Sequence, residues 1–256
     1  MLSFIGLGLW DENDITLKGL EEARKCDKLF AEFYTSKMGV SIKKIEEKIG
    51  KKITILSRGE VEDGTMLLKE AEKHRVALLT AGDPMAATTH VELRIRAIEK
   101  GIKTRIIHGV SIVSAAASLL GLQIYKFGRV VSIARPYKDY FPLSPYEAIK
   151  ENAKMGLHSL LLLDTTPTPM TANEAMEILL EMEKRVGDGL IGEDKLIAVV
   201  ARVSSEDALA RAGYIKDLIE ENFGDTPHSI IIPGNLHVVE AKALVKIANA
   251  PEEIIQ

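Results

Sequence analysis

The chain of 256 residues reads as an α/β protein built from two α/β domains, and three observations lead there. Short runs rich in β-branched and leucine residues recur along its whole length, most of them followed by a longer segment with helical spacing of apolar residues. That alternation makes mainly parallel sheets. The length exceeds the usual single-domain size of about 100–150 residues, so two units are expected. Between them, in GLQIYKFG at 121–128, two glycines bracket a short aromatic stretch just after a small-residue helix, which puts the boundary at 122/123 and the domains at 1–122 and 123–256.

In the first domain, strands are expected at Leu2 to Leu7, Lys28 to Phe33, Ile53 to Leu56, Val76 to Thr80 and Thr104 to His108. The segment from Val91 to Lys100 alternates like a strand, yet Val91, Ile95 and Ile98 fall on one helix face. Thr89 with Glu92 three residues on has the pattern of a capping box and Gly101 ends the stretch, so it is read as helix. In the second domain, strands are expected near Arg129 to Ala134, Ser159 to Asp164, Leu196 to Ala201 and Ser229 to Pro233, with a short edge strand in Ala208 to Tyr214. Ser144-Pro145-Tyr146-Glu147 and Thr171-Ala172-Asn173-Glu174 announce helix starts, and further helices are expected at Lys216 to Glu221 and Leu236 to Ala248.

Composition narrows the function classes. A formal charge of −4 argues against a nucleic-acid face, which needs clustered positive charge. The densest basic stretch, KKIEEKIGKK at 43–52, mixes both signs and reads as a solvated helix face. No apolar run approaches the roughly 20 residues of a membrane span. The start, MLSFIGLGLWDEND, lacks a basic leader region and turns acidic at once, so a cytoplasmic location is expected. The single Cys26 has no thiol to bridge and reads as core filler, and the six histidines show no metal-binding spacing, so no metal is expected. Glutamine is confined to Gln123 and Gln256 while Glu and Lys abound, a thermophilic bias.

The chemistry gathers where strands end in glycine. IGLGLWDEND carries Gly6 and Gly8 of a dinucleotide fingerprint, but Asp11 replaces the third glycine, and Glu12 and Asp14 follow. A loop that is tight yet acidic suits a nucleoside-like ligand without phosphates, of which S-adenosylmethionine is one; the alternative is that Gly6 and Gly8 merely let a strand turn. LLTAGDPMAATTH delivers Gly82, Asp83 and Pro84 to the carboxyl edge of the sheet, with Ala86 and Ala87 leaving open space. Asp83 can equally cap the helix that follows near Thr88. IIHGVSIVSAAASLLG repeats the device: strand, Gly109, then Ser111 opening a helix of small residues.

These segments, with LDTTPTPMTANEAM, RAGYIKDL and FGDTPHSIIIPGNLHVVEA, run in order over nearly the whole chain and resemble the diphthine synthase family of the tetrapyrrole (corrin/porphyrin) methylase superfamily. The resemblance implies a homodimeric methyltransferase with a mainly parallel N-terminal sheet, a mixed C-terminal sheet, and S-adenosylmethionine as cofactor in the interdomain cleft. It implies elongation factor 2 as protein substrate, methylated on the amino group of an aminocarboxypropyl-modified histidine in diphthamide biosynthesis. Carried over by position, Leu9, Asp83, Ala86, Ser111 and Ile112 of the first domain and Leu163, Val203 and His228 of the second contact the cofactor. Alanine at 86 and ARVSSED around Val203 depart from the family's usual residues.

Methyl transfer from a sulfonium is an in-line displacement governed by orientation, and the motif loops are poor in paired acid–base groups. The expectation is that no side chain is indispensable as a general base, with His228 a hydrogen-bonding wall rather than a base. Tyr137, Tyr140 and Phe141 form either a substrate lid or a packing seam. Competing readings are a methyltransferase of the same superfamily acting on a corrin or porphyrin precursor or on ribosomal RNA, an NAD-dependent oxidoreductase with Glu32 on the ribose, and an adaptor without cofactor.

Overall fold

Period-two alternation decides which face of the first sheet each residue buries. In the computed structural model, which describes residues 1–255, the strands are β1 (Leu2–Gly6), β2 (Lys28–Glu32), β3 (Ile53–Ile55), β4 (Val76–Thr80) and β5 (Thr104–Ile107), all parallel in the order β3-β2-β4-β1-β5. Leu2, Phe4, Phe30, Val76 and Leu78 point to one face; Ile5, Leu29, Ala31, Ala77 and Leu79 point to the other. Helices α1 (Leu17–Lys25) and α2 (Ile42–Ile49) cover the second of these faces through Leu20, Ala23, Ile45 and Ile49. Helices α3 (Arg58–Asp63), α4 (Thr65–Lys73) and α5 (His90–Glu99) cover the first through Val61, Leu67, Leu68, Leu93 and Ala97. The central strands β1 and β4 are buried at every position, which is why they read as continuous apolar runs, whereas β3 and β5 at the sheet's edges are partly exposed.

The second sheet is mixed. It comprises β6 (Val131–Ile133), β7 (Ser159–Leu163), β8 (Leu196–Ala201), β9 (Leu209–Tyr214) and β10 (His228–Ile232), in the order β6-β7-β10-β8-β9. Strand β6 runs parallel to β7, whereas β10 is antiparallel to both β7 and β8, and β9 is antiparallel to β8. Its helices are α6 (Ile112–Leu120), α7 (Ser144–Lys154), α8 (Ala172–Val186), α9 (Ile215–Leu218) and α10 (Val238–Ala248). The core joins Val131, Ile133, Leu161, Val199, Ile230 and Ile232 of the strands to Tyr146, Ile149, Met176, Leu179 and Met182 of α7 and α8.

By its contacts the chain divides into Met1–Ile112 with Ser204–Glu206, and Val113–Val203 with Asp207–Gln256. The division falls ahead of the expected 122/123 because α6 belongs with the second unit. Gly121 lies against Ala243 of α10, and the Gln123 backbone N–H donates to Glu240 Oε1 at 2.9 Å.

Several expected helix starts differ. Thr89 stands at the α5 N-cap with φ −91° and ψ 3° and makes no side-chain cap bond, because its near-helical backbone turns the hydroxyl away from the amides of the first turn. His90 ties this end down instead, its Nδ1–H donating to the Pro84 carbonyl at 2.9 Å. Ser144 lies inside α7 behind Leu143, with Pro145 in the first turn as expected. Thr171 does cap α8, accepting the Glu174 N–H at 3.2 Å. Helix α9 stops at Leu218, short of the expected Glu221.

Candidate functional site

Three loops leave the carboxyl ends of β1, β4 and β5, and β1 lies between the other two strands. Where they leave, the backbones touch. A Cβ on Gly6 would stand 2.5 Å from the Gly109 nitrogen and 2.5 Å from the Gly82 oxygen, and one on Gly109 would stand 2.3 Å from that oxygen. Gly8 and Gly82 then bridge, the Gly82 N–H donating to the Gly8 carbonyl at 2.6 Å. Both take left-handed backbone angles, φ 84° and 74°, which glycine adopts without strain.

This packing brings the five expected residues of the first unit together: Leu9 directly after the bridge, Asp83 and Ala86 in the turn after β4, Ser111 and Ile112 after β5. All five are partly buried. Asp83 caps no helix, since α5 starts only at His90; its Oδ1 accepts the Met85 N–H at 2.9 Å and its Oδ2 meets His108 Nδ1 at 2.7 Å. His108 was not singled out in the sequence.

The acidic residues after Gly8 have a defined place. Asp14 folds back so that Oδ2 accepts the backbone N–H groups of Trp10 at 2.7 Å and Asp11 at 3.3 Å. Its Cβ lies where a Cβ of Gly8 would be, 2.4 Å away, so the glycine makes room for this carboxylate. The amides that a dinucleotide fold turns toward pyrophosphate are held by the protein's own anion. Glu32, the ribose residue of the oxidoreductase reading, is fully buried and accepts from the backbone N–H groups of Tyr34 and Thr35 and from the Thr35 hydroxyl. Beside it, burial and the Glu32 charge push the Tyr34 phenol up to about 12.

The second unit gathers its three expected residues at one sheet edge. Because β10 runs against β7 and β8, its first residue lies beside their last ones: His228 pairs with Ala201 and Ser229 with Leu162. Leu163 ends β7, and Val203 follows β8 between Arg202 and Ser204, whose φ values are 47° and 81°. His228 is buried and satisfied on both nitrogens, Nδ1 accepting the Ala172 N–H at 3.1 Å and Nε2–H donating to the Asp225 carbonyl at 3.1 Å. Burial lowers its pKa below the ordinary imidazole value, so it is held neutral in the fold.

Arg202 fixes the neighbouring backbone, donating from Nη1 to the Phe223 and Asp225 carbonyls and from Nε to Asp207 Oδ2. Arg135 does the same for TTPTP, donating to the Thr166 and Thr168 carbonyls and to Glu174. Neither arginine was foreseen; an arginine beside a strand end and a proline-rich loop is the signal that was available. In the loop after β6, Tyr137 and Tyr140 are exposed and bridge each other, while Phe141 packs under the Arg185 guanidinium at 4.0 Å. Cys26 is buried, its thiol pushed up to about 11 chiefly by burial. Among the described residues no group of three or more His, Cys, Asp or Glu is placed to hold a metal ion, and no helix is long and apolar enough to cross a membrane.

Known proteins resemble the chain over most or all of its length. The model of the tetrapyrrole (corrin/porphyrin) methylases matches residues 1–219. The diphthine synthase of Methanothermobacter thermautotrophicus is 48% identical over 260 residues, covering 100% of this chain and 98% of its own. That of Methanocaldococcus jannaschii is 51% identical over 251 residues, covering 95% and 97%. A crystal structure of a diphthine synthase superposes with a TM-score of 0.92 at 37% identity, covering 99% of this chain and 98% of that one.

Proposed function

Since the chain belongs to the diphthine synthases of the tetrapyrrole (corrin/porphyrin) methylase family and is a methyltransferase of diphthamide biosynthesis, we propose S-adenosylmethionine as its methyl donor. The acceptor in this reading is the amino group of the aminocarboxypropyl-modified histidine on elongation factor 2. The observation that carries the donor assignment is the Asp14 carboxylate on the Trp10 and Asp11 amides. A loop so filled repels phosphate, and with Asp11, Glu12 and Asp83 nearby it favours a ligand bearing positive charge.

When bound, S-adenosylmethionine supplies a methyl group on a cationic sulfur. The chain's own residues hold and orient. In the first unit, Leu9 and Ile112 offer apolar contact, Gly82 and Ala86 leave room, and Asp83 and Ser111 supply polar atoms. In the second, Leu163 and Val203 line and His228 stiffens the sheet edge. Orientation of this kind supplies about 7–11 kcal/mol in well-placed reactions. The working form in this reading is a cytoplasmic homodimer whose partner is elongation factor 2, without nucleic acid or membrane.

The test incubates the protein with S-adenosylmethionine and elongation factor 2 carrying the aminocarboxypropyl histidine, and measures the mass of the modified peptide. Added methyl masses on that residue support the assignment. An unchanged peptide, or methylation of a corrin precursor or ribosomal RNA instead, overturns it.

A further inference from the structure

We infer that His108, held by Asp83, is the group that takes the proton from the attacking amine; the inference rests on the methyltransferase reading above. Asp83 follows β4 and His108 follows β5, and the two reach each other across the end of β1. They can do so because Gly6, Gly82 and Gly109 leave no side chain between the loops.

The contact fixes the imidazole. His108 Nδ1 lies 2.7 Å from Asp83 Oδ2, and a carboxylate oxygen only accepts, so Nδ1 carries the hydrogen and Nε2 carries a lone pair. Asp83 is itself held, its other oxygen on the Met85 N–H and its side chain only 12% exposed, while the His108 side chain is 73% exposed. One nitrogen is anchored to a rigid turn and the other is open. A base oriented by a carboxylate is the arrangement proton abstraction needs. The charged groups on the adjoining segments are Asp11, Glu12 and Asp14 after β1, Asp83 after β4, and Arg105 on β5, whose guanidinium is engaged by Glu22.

The step balances. An N–H bond of the substrate ammonium breaks and an N–H bond forms at Nε2, giving an imidazolium beside the Asp83 carboxylate. The freed lone pair forms the new N–C bond as the C–S bond of the donor breaks, and the C–S electron pair stays on sulfur as a thioether. The proposal runs against the expectation drawn from sequence that no side chain is indispensable as a general base.

The experiment compares wild type with His108→Asn, whose amide nitrogen can still donate to Asp83. Turnover is measured between pH 6.5 and 9.5, with S-adenosylhomocysteine binding followed by calorimetry. The expected result is unchanged S-adenosylhomocysteine affinity, turnover on the order of a hundredfold lower at pH 7, and a gap that closes above about pH 8, where an α-amino group loses its proton unaided. Unimpaired turnover, a loss equal at every pH, or a loss of S-adenosylhomocysteine binding overturns the inference. Independently of activity, long-range proton–nitrogen spectra of the wild type should show the Nδ1–H form of His108; the Nε2–H form would overturn it. Wild type without turnover on the modified factor brings down the function and this inference together, whereas active wild type with an unimpaired variant brings down the inference alone.

Discussion

Asp14 Oδ2 lies 2.7 Å from the Trp10 backbone nitrogen, so the turn after Gly8 arrives with its own anion in place. Calorimetry should therefore give heat of binding with S-adenosylhomocysteine and none with NAD. Asp14→Ala empties the amides and should lower unfolding free energy by about 1–2 kcal/mol, read from urea titration, because two partly buried N–H groups lose their acceptor. Tight NAD binding by the wild type would contradict the placement of this carboxylate.

The glycine contacts predict opposite outcomes for one chemical change. Gly109→Ala forces a methyl against the Gly82 oxygen at 2.3 Å and the Gly6 Cα at 2.9 Å, all backbone, and should cost about 1–3 kcal/mol. Gly59→Ala, inside α3 with nothing within 4 Å, should stabilise by about 0.4–1 kcal/mol through its effect on the unfolded chain. Denaturant midpoints of the two variants are expected to move in opposite directions.

Arg202 is only 8% exposed and carries four hydrogen bonds, to Asp207 Oδ2 and the carbonyls of Asp207, Phe223 and Asp225. Lysine cannot span these acceptors with one ammonium. Arg202→Lys should lower stability by about 2–3 kcal/mol and loosen the Asp225 carbonyl to which His228 donates. Nitrogen spectra of His228 would then show a mixture of tautomers in place of one.

Stability should fall with acid in two stages. His158 and His228 are both held below the ordinary imidazole range chiefly by burial, and both are neutral in the fold. The unfolded chain takes up protons there near pH 6.5, so the stability present above that pH is lost as the pH falls through it. For Glu240, burial pushes the carboxyl up, but Lys126, the His237 and Gln123 N–H groups and His158 hold it down at about 2. Its contribution is present above the ordinary value of 4.5 and is lost as the pH falls from there toward 2. Glu183 is likewise held below its ordinary value, so Glu240→Gln should shrink the second stage without removing it, as measured by urea unfolding at stepped pH.

Strand positions were legible to within a residue or two, because strands buried on both faces declare themselves as apolar runs: Val76 to Thr80 was read as it stands. The direction of β10 was not legible, since apolar residues read the same from either end. Helix caps were half legible. Thr171 and Thr89 head similar patterns, and only tertiary contacts decide which hydroxyl meets its amide. The Asp83–His108 pair was invisible for a related reason: the residues stand 25 apart, and the parallel register of β4, β1 and β5 brings them together. The domain boundary shifted because small residues in α6 say that it packs closely without saying on what.

The last strand in chain order occupies the middle of its sheet, between β7 and β8. During synthesis those two have no neighbour on that side until residues 228–232 emerge, so rows of amides and carbonyls wait unpaired while much of the unit is already made. This half of the protein should therefore acquire its native sheet late, and a nascent chain stalled before residue 228 should be open to protease and prone to stick to its like.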